Sequence, residues 1–143
     1  MDRLSRKEFL MQITNLVSLR STCPRAQVGA TIVKEGRVIS MGYNGSPSGT
    51  PHCFDVGCLL NNEGHCIRTT HAEINAIVFA ARMGIKTEGA EIYITHSPCL
   101  ECAKAIINAG IKKVIYEHIY EPHSGLDLLS EIGITIEKFR GEL

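Results

Sequence analysis

Tryptophan is absent from this sequence, and phenylalanine and tyrosine together supply only 6% of it, so few flat side chains are available for unstacked bases to lie on. An excess of charge is missing too: 15 lysines and arginines face 15 aspartates and glutamates, which leaves no basic footprint for a phosphate backbone. A nucleic-acid partner is thereby disfavoured. No apolar run approaches the ~20 residues of a membrane span, so no membrane association is expected. The opening Met1-Asp2-Arg3-Leu4-Ser5 lacks the apolar core of a signal peptide, and a cytoplasmic address is expected. Thiols stay reduced there, so the six cysteines read as metal ligands before disulfides. Repeats, low-complexity tracts and linkers are also missing. The 143 residues read as one domain over 1–143, long enough to bury about two-thirds of the unfolded surface.

What is present alternates. Ser5-Arg6-Lys7-Glu8 is a capping-box pattern, and Phe9, Ile13, Leu16, Val17 and Arg20 follow at helical spacing, which predicts a helix over 5–20. Val28 to Val33 and Val38 to Tyr43 are β-rich and joined by Lys34-Glu35-Gly36-Arg37, where Gly36 can take the positive φ of a hairpin turn. Residues 44–70 show no sustained period and read as a long loop, which in a compact domain is functional or held by something else. A second helix is predicted over 71–83, stopped by Gly84, with Ile74, Ile77 and Ala81 as its stripe against the core. Strands are predicted over 91–95, 113–117 and 134–139, and helices over 99–109 and 126–132. An initial hairpin followed by strand–helix alternation implies a three-layer α/β/α fold, a five-stranded mixed sheet with helices on both faces.

Two stretches carry chemistry. Thr70-His71-Ala72-Glu73 sets a metal ligand two residues from a proton-transfer group at the start of an apolar helix, and Ser97-Pro98-Cys99-Leu100-Glu101-Cys102 sets two thiols one helical turn apart. Structural zinc is usually closed by four protein ligands, so His71, Cys99 and Cys102 with an unliganded Glu73 make a catalytic count. His71 and Cys99 each fall at a predicted helix amino terminus, whose unpaired N–H groups and dipole favour a thiolate. Zinc there would lower the pKa of a fourth-site water towards ~7, and Glu73 could take its proton and pass it to a ring nitrogen and a leaving amine. H-x-E followed by P-C-x-x-C resembles the signature of the zinc-dependent base deaminases. The bland alternative is a closed zinc clip with Glu73 as an ordinary carboxylate.

Four thiols remain: Cys23, just after the first helix, and Cys53, Cys58 and Cys66 in the long loop, with His52 and His65 beside two of them. A second, tetrahedral zinc could pin the loop to the body of the fold, with His65 as a substitute for one thiol. Scattered free thiols are the alternative.

Val28-Gly29-Ala30, Gly42-Tyr43-Asn44-Gly45-Ser46-Pro47, His71-Ala72-Glu73-Ile74-Asn75-Ala76-Ile77, Ser97-Pro98-Cys99-Leu100-Glu101-Cys102-Ala103-Lys104 and Ala109-Gly110-Ile111-Lys112-Lys113-Val114 occur in the order seen in deoxycytidylate (dCMP) deaminases. The chain resembles that family over nearly its whole length. It looks most like the short bacterial and phage members, which carry a Cys-rich insertion, here about 44–70, and a second zinc. The resemblance implies the cytidine deaminase fold, hydrolysis of dCMP to dUMP and ammonia, Glu73 as proton shuttle, and His71, Cys99 and Cys102 as catalytic zinc ligands. It also implies a nucleotide pocket built partly from the Gly-Tyr-Asn-Gly-Ser-Pro loop, and a hexamer. Some members are switched on by dCTP and off by dTTP, and a regulatory nucleotide of that kind would bring Mg2+.

A phosphorylated substrate needs cationic or backbone donors, and Arg25, Arg68, Arg82 and the N–H groups of residues 45–49 are on offer. Arg82 is about 16 Å along its helix from His71 at 1.5 Å per residue, too far to meet a base over the metal within one chain. Asn44 and Asn75, with Ala72 and Ser97 flanking the ligands, are the other candidate substrate contacts. Three readings stay open: a dCMP deaminase; a deaminase of free cytidine, guanine or a tRNA adenosine on the same scaffold; and a non-catalytic zinc-stapled binding protein. Neutral charge disfavours tRNA, and Glu73 disfavours the binding protein.

Overall fold

Ser5 starts the first helix as its sequence requires: the hydroxyl accepts from the Glu8 N–H, and the Glu8 carboxylate accepts from the Ser5 N–H at 2.8 Å. The computed structural model describes residues 2–140; of the domain expected over 1–143, Met1 and residues 141–143 lie outside it. Helix α1 spans Arg6–Ser18, and Leu10, Met11, Thr14 and Val17 face inward. Phe9 and Leu16, two of the residues at helical spacing, are 52% and 67% exposed. The helix is rotated so that the Thr14 hydroxyl meets that of Thr31 at 2.7 Å, a buried pair that satisfies both polar groups.

The hairpin forms where expected. Strands β1 (Gly29–Lys34) and β2 (Arg37–Tyr43) pair antiparallel, and Glu35 and Gly36 both take positive φ in the two-residue turn. Strand β3 (Glu91–His96) pairs antiparallel with β1, and β4 (Lys113–His118) and β5 (Thr135–Lys138) continue in parallel, giving the order β2-β1-β3-β4-β5. Residues alternate between faces as the pleat demands. Val33, Tyr93 and Ile115 pack against α1, whereas Ala30, Ile32, Ile92, Ile94 and Val114 pack on the other face against α3 (Ala72–Arg82), α4 (Leu100–Asn108) and α5 (Ser124–Glu131). The three-layer mixed-sheet architecture is therefore the observed one. No helix among the described residues is long and apolar enough to cross a membrane.

Two expectations need correction. The inner face of α3 is Ala72, Glu73, Ala76 and Ala80, while Ala81, expected in the core stripe, is exposed and Ile74 and Ile77 are only partly buried. The reason is close approach: a Cβ on Gly42 of β2 would fall 2.4 Å from the Ala72 carbonyl oxygen and 2.5 Å from the Ala76 nitrogen. Only small residues fit that contact, so the alanine side of the helix turns inward and Val78, Phe79 and Met83 stay outside. The segment 44–70 is also less irregular than its composition suggests. It contains a one-turn helix, α2 (Cys53–Val56), and two isolated bridges, Gly45 with Thr70 and Leu60 with Cys66.

Candidate active site and second cysteine cluster

Helices α3 and α4 begin one residue after His71 and Cys99, so both candidate ligands are N-caps. Neither makes a side-chain cap hydrogen bond, which leaves them free for another partner and leaves first-turn N–H groups beside them. The helices bring His71 Nδ1 to 3.3 Å from Cys102 Sγ and 3.5 Å from Cys99 Sγ. A tetrahedral zinc at ~2.3 Å from sulfur and ~2.05 Å from an imidazole nitrogen holds such atoms about 3.5 Å apart, so this donor set fits the ion. Cys99 is kept in place from behind. A Cβ on Gly125 of α5 would fall 2.1 Å from the Pro98 carbonyl oxygen and 2.8 Å from that of Cys99, so only glycine lets α5 seat against this turn.

The electrostatics match the roles. A hydrogen bond from Cys102, joined by one from His71, brings the Cys99 thiol down to about 4, so it is a thiolate at neutral pH. The same sharing with Cys99 pushes the Cys102 thiol up, and the Cys99 thiolate raises His71. Glu73 is 4% exposed, and burial pushes its carboxyl up to about 7 against the pull of His71. A buried carboxyl that changes protonation near neutral pH, in contact with one ligand and two residues from another, is suited to moving protons.

The remaining four cysteines also converge. Cys23 and Cys58 place their sulfurs 3.7 Å apart, Cys53 and Cys66 3.6 Å, and all four lie within 4.8 Å of one another. Tetrahedral zinc–thiolate geometry sets sulfurs about 3.8 Å apart, so four thiols suffice for a closed site. His65 is not among them; it is exposed, 3.8 Å from Glu63. Burial pushes Cys53 up to about 12. Burial opposes ionisation of Cys66 as well, but backbone N–H groups of Arg68 and Leu59 aimed at its sulfur bring it down to about 6.

The expected substrate contacts fare differently. Asn44 is buried and spends its side chain on backbone, donating to the Ala26 carbonyl at 2.7 Å and accepting from the Val28 N–H at 2.8 Å. Asn75 donates to the Tyr43 and Thr70 carbonyls at 2.8 and 3.3 Å. The Ser97 hydroxyl accepts from the Tyr120 N–H at 2.7 Å, and Ala72 is buried in the first turn of α3. Arg68 donates from Nε to the Gly57 carbonyl, while Arg25 is exposed and without a hydrogen bond or ion pair among the described residues. Ser46, in the same loop as Asn44, has a buried hydroxyl with no hydrogen-bond partner among the described residues. Gly42 and Gly125 support the site from behind, and for Gly42 the signal in the sequence is a glycine within the β-rich run 38–43, which marks a close backbone approach.

Residues 4–118 match the family model described as the cytidine and deoxycytidylate deaminase zinc-binding region. The chain is 50% identical to ComE operon protein 2 of Bacillus subtilis (strain 168) over 139 residues, covering 96% of this chain and 73% of that protein. It is 39% identical to the deoxycytidylate deaminase of Enterobacteria phage T4, covering 89% of this chain and 86% of the phage enzyme. Among solved structures, the dCMP deaminase of cyanophage S-TIM5 in complex with dCMP and dUMP superposes with a TM-score of 0.85 at 37% identity, over 97% of this chain and 100% of that one.

Proposed function

Because the chain belongs to the cytidine and deoxycytidylate deaminase family, we propose that it hydrolyses dCMP to dUMP and ammonia. The observation that carries the reading is Glu73: a buried carboxyl with its pKa raised to about 7, set beside three convergent ligands, one imidazole and two thiols, and not itself needed as a fourth. His71, Cys99 and Cys102 would hold the catalytic zinc, which when bound supplies a Lewis acid able to make water acidic near neutral pH. Glu73 then accepts the proton of the attacking water, delivers it to the ring nitrogen, and later assists departure of the amine. Its low exposure keeps that proton from bulk solvent. A carboxylate held so is without purpose in a purely structural clip.

Several finer features belong to the same proposal. The four-cysteine cluster holds a second, structural zinc, supported by its sulfur spacings and its closed ligand count. Arg25 and Arg68 are the side chains offered to the 5′-phosphate. An oligomer is supported by large apolar residues left outside the fold, Phe9, Leu16 and Leu19 on and just after α1 and Val78, Phe79 and Met83 on and just after α3, while its being a hexamer rests on the resemblance to dCMP deaminases alone. A cytoplasmic address is supported by six free cysteines. Regulation by dCTP and dTTP, with Mg2+, rests on the resemblance to dCMP deaminases alone.

Ammonia release measured with dCMP, CMP, deoxycytidine, cytidine and guanine tests the reading. The expected result is highest kcat/KM for dCMP, at least a hundredfold above deoxycytidine if two charge-assisted hydrogen bonds worth ~1.5 to 3 kcal/mol each hold the phosphate. Equal turnover of dCMP and deoxycytidine would remove the phosphate site, and turnover of guanine alone would remove the pyrimidine assignment.

A further inference from the structure

Asn75 lies one turn into α3, on the same side of the helix as His71, and its backbone N–H donates to the His71 carbonyl at 3.0 Å. Its side chain reaches back over the start of the helix. The amide nitrogen has two protons, and it has two acceptors: Tyr43 O at 2.8 Å and Thr70 O at 3.3 Å. Tyr43 ends β2, and Thr70 is the residue before His71. Three separate parts of the chain therefore meet at one side chain: the end of an edge strand, the close of the cysteine-rich segment, and the first turn of the ligand-bearing helix.

That meeting point has few other ties. His71 offers no side-chain cap to α3, so the usual device that fixes a helix entry is missing. Thr70 arrives from an irregular segment and is held by one isolated bridge, with Gly45 N to Thr70 O at 3.2 Å and Thr70 N to Gly45 O at 2.8 Å. The Asn75 amide is the remaining link to the Thr70 carbonyl, and it joins that carbonyl directly to the helix.

We propose that Asn75 is a positioning residue, which sets the His71 ligand by clamping the Thr70 and Tyr43 carbonyls over the first turn of α3, and that it does not bind the nucleotide. With both amide protons engaged it has no donor for a phosphate oxygen. The proposal rests on reading His71, Cys99 and Cys102 as a metal centre, and its test separates the two.

The experiment uses Asn75→Ala and Asn75→Asp in the full chain loaded with zinc. The aspartate keeps the size of the side chain and puts one carboxylate oxygen, which has no proton to donate, where the amide nitrogen faced the two carbonyls. Zinc loss to a chromophoric chelator is followed in two phases, one for each centre, beside steady-state kinetics with dCMP. A misplaced supporting residue typically costs 10–100-fold in metal affinity. The expected result is that catalytic zinc leaves at least ~10-fold more readily from both variants, kcat falls, KM for dCMP changes less than about threefold, and the four-cysteine zinc is retained as in the parent. Unchanged retention of catalytic zinc with a raised KM would overturn the proposal in favour of a nucleotide contact. Failure of both variants to fold would overturn it too, since a clamp on one helix entry leaves both core faces intact. If the parent protein proved inactive on dCMP, the deaminase reading would fall while the zinc measurement still decided the role of Asn75.

Discussion

His71 Nδ1 and Cys102 Sγ stand 3.3 Å apart although 31 positions separate them, and the contact exists because two helices start side by side at the end of one sheet. Glu73, on the inner side of the first of those helices, is buried beside the pair. Glu73→Gln should keep both metals and the fold, because the carboxyl is not needed as a ligand, yet lose at least ~10²-fold in kcat. His71→Ala and Cys102→Ala should lose catalytic metal together with activity. Metal analysis beside kinetics separates shuttle from ligand; an active Glu73→Gln enzyme would strip Glu73 of its role.

The pH profile follows from the same carboxyl. Its basic form is the one that accepts a proton, and burial lifts its pKa from 4.5 to about 7, so acid should silence the enzyme earlier than an ordinary glutamate would. A dication held by Cys102, which touches Glu73, pulls the value back down. The acid limb of kcat/KM should therefore bend between 4.5 and about 7 and fall tenfold per pH unit below the bend. A profile flat to below pH 4.5 would contradict this.

For the four-cysteine cluster, purified protein should contain two zinc ions per chain and Cys53→Ala only one. Removing the closure of a segment that has so little core of its own should lower Tm by at least about 5 °C, measured by calorimetry at equal protein concentration. A single ion per chain in the parent would refute the second site.

Gly42→Ala is the smallest change that should disturb α3 without touching a ligand. The added methyl would sit 2.4 Å from the Ala72 carbonyl oxygen, a backbone atom that cannot swing away. Overpacking of this kind costs about 1 to 3 kcal/mol, so a lower Tm and weaker retention of catalytic zinc are expected in a chelator challenge. An unchanged Tm would mean that the helix and strand separate freely.

The parts of this molecule governed by local chemistry were readable in advance. Ser5 and Glu8 announce a capped helix, Glu35-Gly36 a two-residue turn, and the spacing of Cys99 and Cys102 a shared ligand turn; each involves neighbours within four residues. What escaped depends on distant contacts. Which face of α3 turns inward is decided by Gly42, 30 or more positions earlier, and apolar periodicity alone favours the larger Ile74 and Ile77 over the alanines that fit. His65 could not be told from a fourth ligand until Cys23 was placed across the fold beside Cys58. Asn75 lies one turn from His71, and which carbonyls its amide meets is something that no spacing rule locates.

The two outer strands of the sheet have a consequence for how copies of this chain can associate. Strand β2 is interrupted where the register passes from Val33 opposite Val38 to Ile32 opposite Ser40, so Ile39 has no partner and the edge is bent. Strand β5 is only four residues long, and its Glu137 is engaged by Lys7 and Lys113. Neither rim presents the long, flat row of free N–H and C=O groups that templates strand addition. Addition of a strand from another copy is therefore disfavoured at both rims, by the bulge at one and by the short, charge-paired strand at the other.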